Sequence, residues 1–286
     1  MTTELKNRLM WGIGAALAVI LVIFVLGPEV TFLLSLGLSL LGWREYSRMM
    51  KLVDREALYY PGYLLLFMIF THSFFMGPMT FFWIWFVWAA AFFILFFEMI
   101  VKRKHQVAMI EGVVSTDQRF DPEATWRDLC RFVLGIFYVF MIFGFVGPIC
   151  LSKIHGERLL CLGLSVTFVG DTAAYFVGKR WGKRKLWPEI SPGKTLEGAL
   201  GGWVGSVLAA LIVWLVLLTR SDIGLWQVLV VGFLSAPLAQ AGDFLESLMK
   251  RAAGKKDSGD FMPGHGGILD RADGLVFVLP LIYFLF

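Results

Sequence analysis

Charged residues are scarce in this chain of 286 residues: Asp, Glu, Lys and Arg make up only 17% of it, where a soluble domain carries about a quarter. Cysteine is scarcer still. Cys130, Cys150 and Cys161 form no CxxC pair and leave an odd one over, which excludes a disulfide framework and a cysteine zinc site and predicts buried, inert thiols. No repeat of 20–50 residues occurs and no low-complexity tract, so solenoid and disordered classes drop out. Apolar residues, by contrast, reach 58%, with 27 Phe and 11 Trp.

The apolar residues fall in runs near the length that crosses a bilayer, which predicts an all-α, polytopic integral membrane protein. The expected spans are about nine: 9–27, 29–43, 59–76, 79–101, 130–152, 158–178, 197–219, 224–248 and 269–286. The second is short for a crossing. The first has an apolar core too long for a secretory signal and reads as a retained span.

Basic residues orient the bundle. With the N-terminus in the cytoplasm, all of the 26 Lys and Arg except Lys153, Arg158 and Arg220 fall on cytoplasmic segments, the asymmetry that membrane proteins show. The expected placement is a multi-pass protein of the cell membrane with its functional loops on the cytoplasmic side. The pI near 9 then belongs to those loops and not to a nucleic-acid surface. Residues 1–128, about four spans with few polar groups, read as scaffold. Residues 129–286, about five spans, read as the catalytic part. Asp121, Pro122 and Glu123 have the pattern of a helix start leading into the fifth span.

Three segments carry polar residues to the cytoplasmic edge of the membrane, where ionisable groups are costly and point to function. The first, FVGDTAAYFVGKRWGKRK, places Asp171 about 12 Å along the helix axis from Lys179, with Tyr175 and Gly178 on the same face. A simple ion pair with a neighbouring helix is the structural alternative. The second, PEISPGKTLEGALGG, contains GKT, yet Pro188 stands where a phosphate loop needs its first glycine and no strand is expected before it. Ser191, Lys194 and Thr195 still offer donors at a helix start, with Glu197 in the first turn, an arrangement that suits an anion. A cap with a snorkelling lysine accounts for the same residues. The third, AGDFLESLMKR, sets Asp243, Glu246, Ser247, Lys250 and Arg251 within an arc of about 140° on one helix, with Phe244, Leu245, Leu248 and Met249 turned elsewhere. It lines a wet cavity or forms a self-neutralising ion cluster.

A glycine-rich loop follows, with Lys255, Lys256 and Asp257, then His265 between Gly264, Gly266 and Gly267, where the backbone can approach a ligand closely. Asp270, Arg271 and Asp273 open the last span, and Asp270 can meet Asp243 if the last two helices are neighbours. Facing carboxylates with at most one His and no Cys indicate Mg²⁺ rather than zinc, and the surrounding cations indicate phosphates.

The run SLMKRAAGKKDSGDFMPGHGGILDRAD, Ser247 to Asp273, resembles the signature of the phosphatidate cytidylyltransferase (CDP-diacylglycerol synthase) family at Ser247, Lys250, Arg251, Lys256, Asp257, Pro263, Gly266, Gly267, Asp270, Arg271 and Asp273. The segments around Asp171 and Thr195 are similar to other blocks of that family. The resemblance covers roughly residues 165–286. Met262 and Ala272 depart from its usual residues, apolar for apolar.

The resemblance implies condensation of CTP with phosphatidic acid, giving CDP-diacylglycerol and pyrophosphate, with Mg²⁺ required. It also implies metal-binding roles for Asp243 and Asp270, with K⁺ as a second ion between them. Lys194, Lys250, Arg251 and Lys256 are expected to hold phosphate charge, with Asp171 and Lys179 in the cavity wall. The site expectation thus comprises Asp243, Asp270, Lys250, Arg251, Lys256 and Asp257 at the reaction centre. Around them stand Asp171, Lys179, Ser191, Lys194, Thr195, Glu197, Glu246, Ser247, His265, Gly266, Gly267, Arg271 and Asp273. A homodimer is compatible with this reading, and nucleic acid is not an expected partner. A CTP-dependent polyprenol or other lipid kinase and an ion-coupled transporter are the rival readings.

Overall fold

The computed structural model describes residues 19, 21–53, 55–76, 122–152, 155–219, 221–259 and 266–286. Most of the expected first span, all of the fourth, Asp121 and His265 lie outside these residues. Among them the fold is helical apart from one small hairpin. After a π-helical turn, Val22–Leu26, come α1 (Pro28–Met49), α2 (Glu56–Met76), α3 (Pro122–Phe143) and the short α4 (Val146–Cys150). Then follow α5 (Gly156–Trp181), β1 (Lys185–Trp187), β2 (Ser191–Thr195), α6 (Leu196–Val213, continued by a π turn to Leu218), α7 (Leu225–Ala252), α8 (Leu269–Ala272) and α9 (Leu275–Leu285).

Among the described residues, five stretches are long and apolar enough to cross a membrane: 58–75, 123–150, 156–181, 196–218 and 225–252. Each meets an expected span. Two boundaries moved. The short second span is the 22-residue α1, about 33 Å long, because the helix continues past the apolar run through Arg44, Glu45 and Arg48. The last span breaks: α8 is a single turn, and the apolar helix proper starts only at Leu275. Cys150 is buried as expected, but Cys161 is only half-buried and Cys130 is exposed on α3, which corrects the reading of three buried thiols.

The tightest helix pair is α5 with α6. Small residues make it so. A Cβ on Gly202 would lie 3.0 Å from the Ala174 Cβ, and one on Gly205 only 2.6 Å from that of Ala173. Ser206 donates to the Val166 carbonyl at 2.8 Å across the interface. In lipid, where apolar contact alone gives little drive to associate, close backbones and such hydrogen bonds hold helices together. Helix α7 packs on α6, and α9 fills the space between α7, α5 and α3.

The β1–β2 hairpin was not expected. It is antiparallel, pairing Lys185 with Thr195 and Trp187 with Ser191, and so places a strand before GKT. Pro188 in the turn still breaks the phosphate-loop pattern. The hairpin delivers Thr195 to the N-cap of α6, where its Oγ1 accepts from the Gly198 amide at 3.1 Å.

Candidate active site

Helix α7 supplies the axis of the site. Its i, i+4 spacing stacks two pairs: Ser247 donates to Asp243 Oδ1 at 3.3 Å, and Lys250 donates to Glu246 Oε2 at 2.6 Å. Glu246 is fully buried, so the lysine meets a charge that water does not reach. Of the apolar residues expected to turn elsewhere, Met249 is buried and Leu248 exposed. Residues from other elements meet this face. Lys194, on β2, sits 2.5 Å from Asp243 Oδ2 and 4.4 Å from the centre of the Phe244 ring, so the aromatic is also part of the site wall. Lys250 reaches a second carboxylate, Asp270 Oδ1 on α8, also at 2.6 Å.

Asp270 is saturated with donors. Its other oxygen accepts from the Ser258 amide at 2.9 Å, the Ser258 hydroxyl at 2.9 Å and the Gly267 amide at 2.8 Å. One carboxylate therefore pins the loop before it, the turn beside it and α7 together. Gly266 has φ +80°, a left-handed conformation, and a Cβ there would fall 2.7 Å from Asp270 Oδ2. Glycine at 266 thus answers a local need of the turn around Asp270.

Glu45, on α1, is a residue that sequence reasoning missed. It is buried, and its Oε1 accepts from the Ile268 amide at 3.0 Å while Oε2 accepts from the Leu269 amide at 3.2 Å and lies 3.4 Å from the Ser258 hydroxyl. A Cβ on Gly259 would lie 2.8 Å from its carboxyl carbon, and one on Gly267 at the same distance. Those two glycines leave room for Glu45, not only for a ligand. Lys255 adds a second tie to α1 by donating to the Arg48 carbonyl at 3.3 Å. The available signal was an acidic residue alone among the bases of WREYSRM.

Asp171 and Asp273 complete an acidic corner. The turn at Gly274 lies against Thr167 and Asp171 of α5 and Ala239 of α7. Asp273 accepts from the Gly274 amide at 2.8 Å. Asp171, Asp243 and Asp273 are close enough to repel one another, with Lys194 and Lys250 as the nearby countercharges.

Other expected residues take local roles. Glu197 accepts from the Lys183 amide at 2.9 Å and from the Arg184 amide at 3.2 Å, fastening the loop after α5 to the start of α6. Thr195 caps, as described, and Ser191 pairs within the hairpin. Lys179 lies over its own-helix neighbour Tyr175, 5.6 Å from the ring centre, with the tyrosine exposed. Arg251 donates to the Lys255 carbonyl at 3.4 Å, and Arg251, Lys256, Asp257 and Arg271 are all exposed. Direct contacts thus form two sets along α7, Lys194–Asp243–Ser247 and Glu246–Lys250–Asp270–Gly267, and leave Lys179, Arg251, Lys256 and Asp257 at the rim.

No cluster of three or more Asp, Glu, His or Cys that could enclose a metal occurs among the described residues. The donors present are carboxylate and hydroxyl oxygens, which suit a hard cation held by one or two carboxylates and completed by water or phosphate. Asp243 is the more available: its side chain is 36% exposed against 11% for Asp270.

Lysines and aspartates thus pair along α7, in a bundle whose other helices are largely apolar. The chain belongs to the cytidylyltransferase family, which it matches over residues 6–286. Among curated proteins it is 41% identical over 161 residues to the phosphatidate cytidylyltransferase of Bacillus subtilis, covering 56% of this chain and 59% of that protein. It is 42% identical over 131 residues to that of Staphylococcus saprophyticus (46% and 50%) and 38% identical over 186 residues to that of Thermotoga maritima (63% and 67%). The match thus spans half to about two thirds of these relatives' length.

Proposed function

We propose that this protein is a phosphatidate cytidylyltransferase, transferring the cytidylyl group of CTP to phosphatidic acid with release of pyrophosphate. The relatives of that name support the reading. The observation in the fold that carries it is the convergence of Lys194, Asp243, Lys250 and Asp270 at one end of the bundle. In that reaction a phosphatidate oxygen attacks the α-phosphorus of CTP in line, the bond to the β-phosphate oxygen breaks, and pyrophosphate departs. The nucleophile is already an anion, so the work of the site is to bring two polyanions together and align them.

On this reading Lys194 and Lys250 meet phosphate from inside, and Arg251 and Lys256 from the rim. In the resting arrangement both inner ammonium groups are held by carboxylates. Bringing in phosphate changes their partner without creating a bare buried charge. Bound Mg²⁺ would add charge neutralisation at the phosphates, with Asp243 and Asp270 as its holders and K⁺ as a second ion. Asp171 and Asp273 extend the acidic wall, and Phe244 and the exposed Tyr175 offer aromatic surface beside it.

The reading includes nine spans, a cytoplasmic N-terminus and a site facing the cytoplasm, where CTP is found. Phosphatidic acid would enter from the bilayer, its chains staying in lipid. A homodimer belongs to the same reading. The test is incubation of purified protein in detergent with radiolabelled CTP, phosphatidic acid and Mg²⁺. CDP-diacylglycerol with pyrophosphate in equal amount is expected. Release of CDP with a phosphorylated lipid alcohol instead would mark a lipid kinase and end this reading.

A further inference from the structure

Glu45 belongs to the part of the chain that carries no other acidic contact to the site among the described residues, yet both of its oxygens are spent on the segment that carries Asp270. Oε1 takes the Ile268 amide, and Oε2 takes the Leu269 amide. The Ser258 hydroxyl stands between two carboxylates, 2.9 Å from Asp270 Oδ2 and 3.4 Å from Glu45 Oε2. Glu45 and Asp270 therefore hold neighbouring backbone, one through the amides of 268 and 269, the other through those of 258 and 267. Among the described residues Glu45 makes no ion pair; backbone amides meet its charge. A buried carboxylate is tolerated only where it is hydrogen-bonded, and Glu45 meets that need with the backbone at 268 and 269.

We propose that Glu45 is a positioning residue: it sets the backbone at Ile268 and Leu269 so that the Asp270 carboxylate is presented to the reaction centre in one orientation. The consequence for catalysis rests on the cytidylyltransferase reading; the positioning itself does not. It gives the N-terminal helices a part in the chemistry beyond scaffolding. The chemistry of the substitutions is specific. A glutamine at 45 has one oxygen and one NH₂, and either way round it sets NH₂ against a backbone N–H, at Ile268 or at Leu269. An aspartate keeps two acceptor oxygens on a shorter arm. Displacing a reacting group by about 1 Å costs roughly 100-fold in rate.

The experiment compares wild type, E45Q, E45D and W43F in detergent. W43F loses the indole bond from the same helix to the Tyr59 carbonyl and reports generic loosening of α1. Hydrogen exchange is read peptide by peptide, with kcat and KM for CTP and phosphatidic acid measured alongside. The expected result for E45Q is faster exchange confined to peptides covering 258–270, with kcat down at least tenfold and KM within about threefold. E45D should recover part of both, and W43F should show no local rise at 258–270. Should E45Q fail to fold, G259A decides, because its Cβ would press on the Glu45 carboxyl group; the same local exchange rise and kcat loss are expected. Wild-type exchange at 258–270 in the folded variant, or exchange rising evenly along the chain with activity lost only in step with folded protein, overturns the proposal. Localised exchange in a protein that makes no CDP-lipid even as wild type would keep Glu45 in its positioning role and discard the cytidylyltransferase reading.

Discussion

Lys194 and Asp243, 49 positions apart, meet at 2.5 Å although one lies on a two-stranded hairpin and the other on the C-terminal third of a long helix. The contact joins the second and third polar segments of the sequence into a single site. It also sets the local charge: the carboxylate of Asp243, the more exposed of the two expected metal holders, is neutralised by the Lys194 ammonium.

Removing that ammonium separates binding from folding. Lys194 is only 24% exposed at the side chain, and its Nζ lies over the Phe244 ring. Lys194→Met keeps much of the stem and loses the charge. We expect kcat/KM for CTP to fall by about 100-fold, the scale on which a preorganised electrostatic group acts, with a melting temperature close to wild type. Lys194→Arg should recover part of the loss. Steady-state kinetics with CTP varied at saturating phosphatidic acid, beside a thermal-shift measurement, checks both.

The two aspartates expected to hold Mg²⁺ should differ in what else they do. Asp243 has a lysine and a serine as partners, and both reach water. Asp270 answers four donors, three of them from residues 258 and 267. Asp243→Asn should remove Mg²⁺-dependent activity with little loss of stability. Asp270→Asn should remove activity and also destabilise by about 1–3 kcal/mol, since at least one inward donor then faces an NH₂ group. Denaturation midpoints for the two variants, set against their activities, test the difference.

How far the sequence could be read follows from the range of the interactions. Helices with continuous apolar runs were legible because a bilayer demands them, and α5, α6 and α7 sit where hydropathy put them. The pairing of Glu246 with Lys250 and of Asp243 with Ser247 was implicit in the four-residue period of one helix. The β1–β2 hairpin was not legible, because Lys185–Trp187 and Ser191–Thr195 are too short and too polar to show a strand period. Glu45 escaped for another reason. Its partners are backbone amides more than 220 residues away, and a backbone amide leaves no side-chain signature in a sequence. Gly267 could be read as room for a ligand, when part of that room belongs to Glu45.

The close packing of α5 on α6 should be as sensitive as any polar contact. Gly202 faces Ala174 and the Gly170 carbonyl, where an added methyl would approach within 3.1 Å of that oxygen. Gly202→Leu leaves no place for its side chain and should separate the helices, moving the Thr195 cap and with it Lys194. Loss of at least 1–3 kcal/mol is expected from overpacking, together with loss of activity. Gly193, whose Cβ would meet nothing within 4 Å, is the matched control, and Gly193→Ala should leave stability unchanged.

Lys250 allows the cost of a buried charge to be separated from its use. It is bonded to Glu246, which is fully buried, and to Asp270. Lys250→Met alone leaves Glu246 with no hydrogen-bonding partner among the described residues and should destabilise by about 3–5 kcal/mol, as breaking one side of a buried pair does. The double variant Glu246→Leu with Lys250→Met replaces charge with apolar volume, a change that is often neutral in a tight interior. It should therefore regain most of the melting temperature. Activity should not return with it, because Asp270 still lacks its lysine and no ammonium is left there to meet phosphate. A double variant that is both stable and active would show that Lys250 serves only to neutralise Glu246.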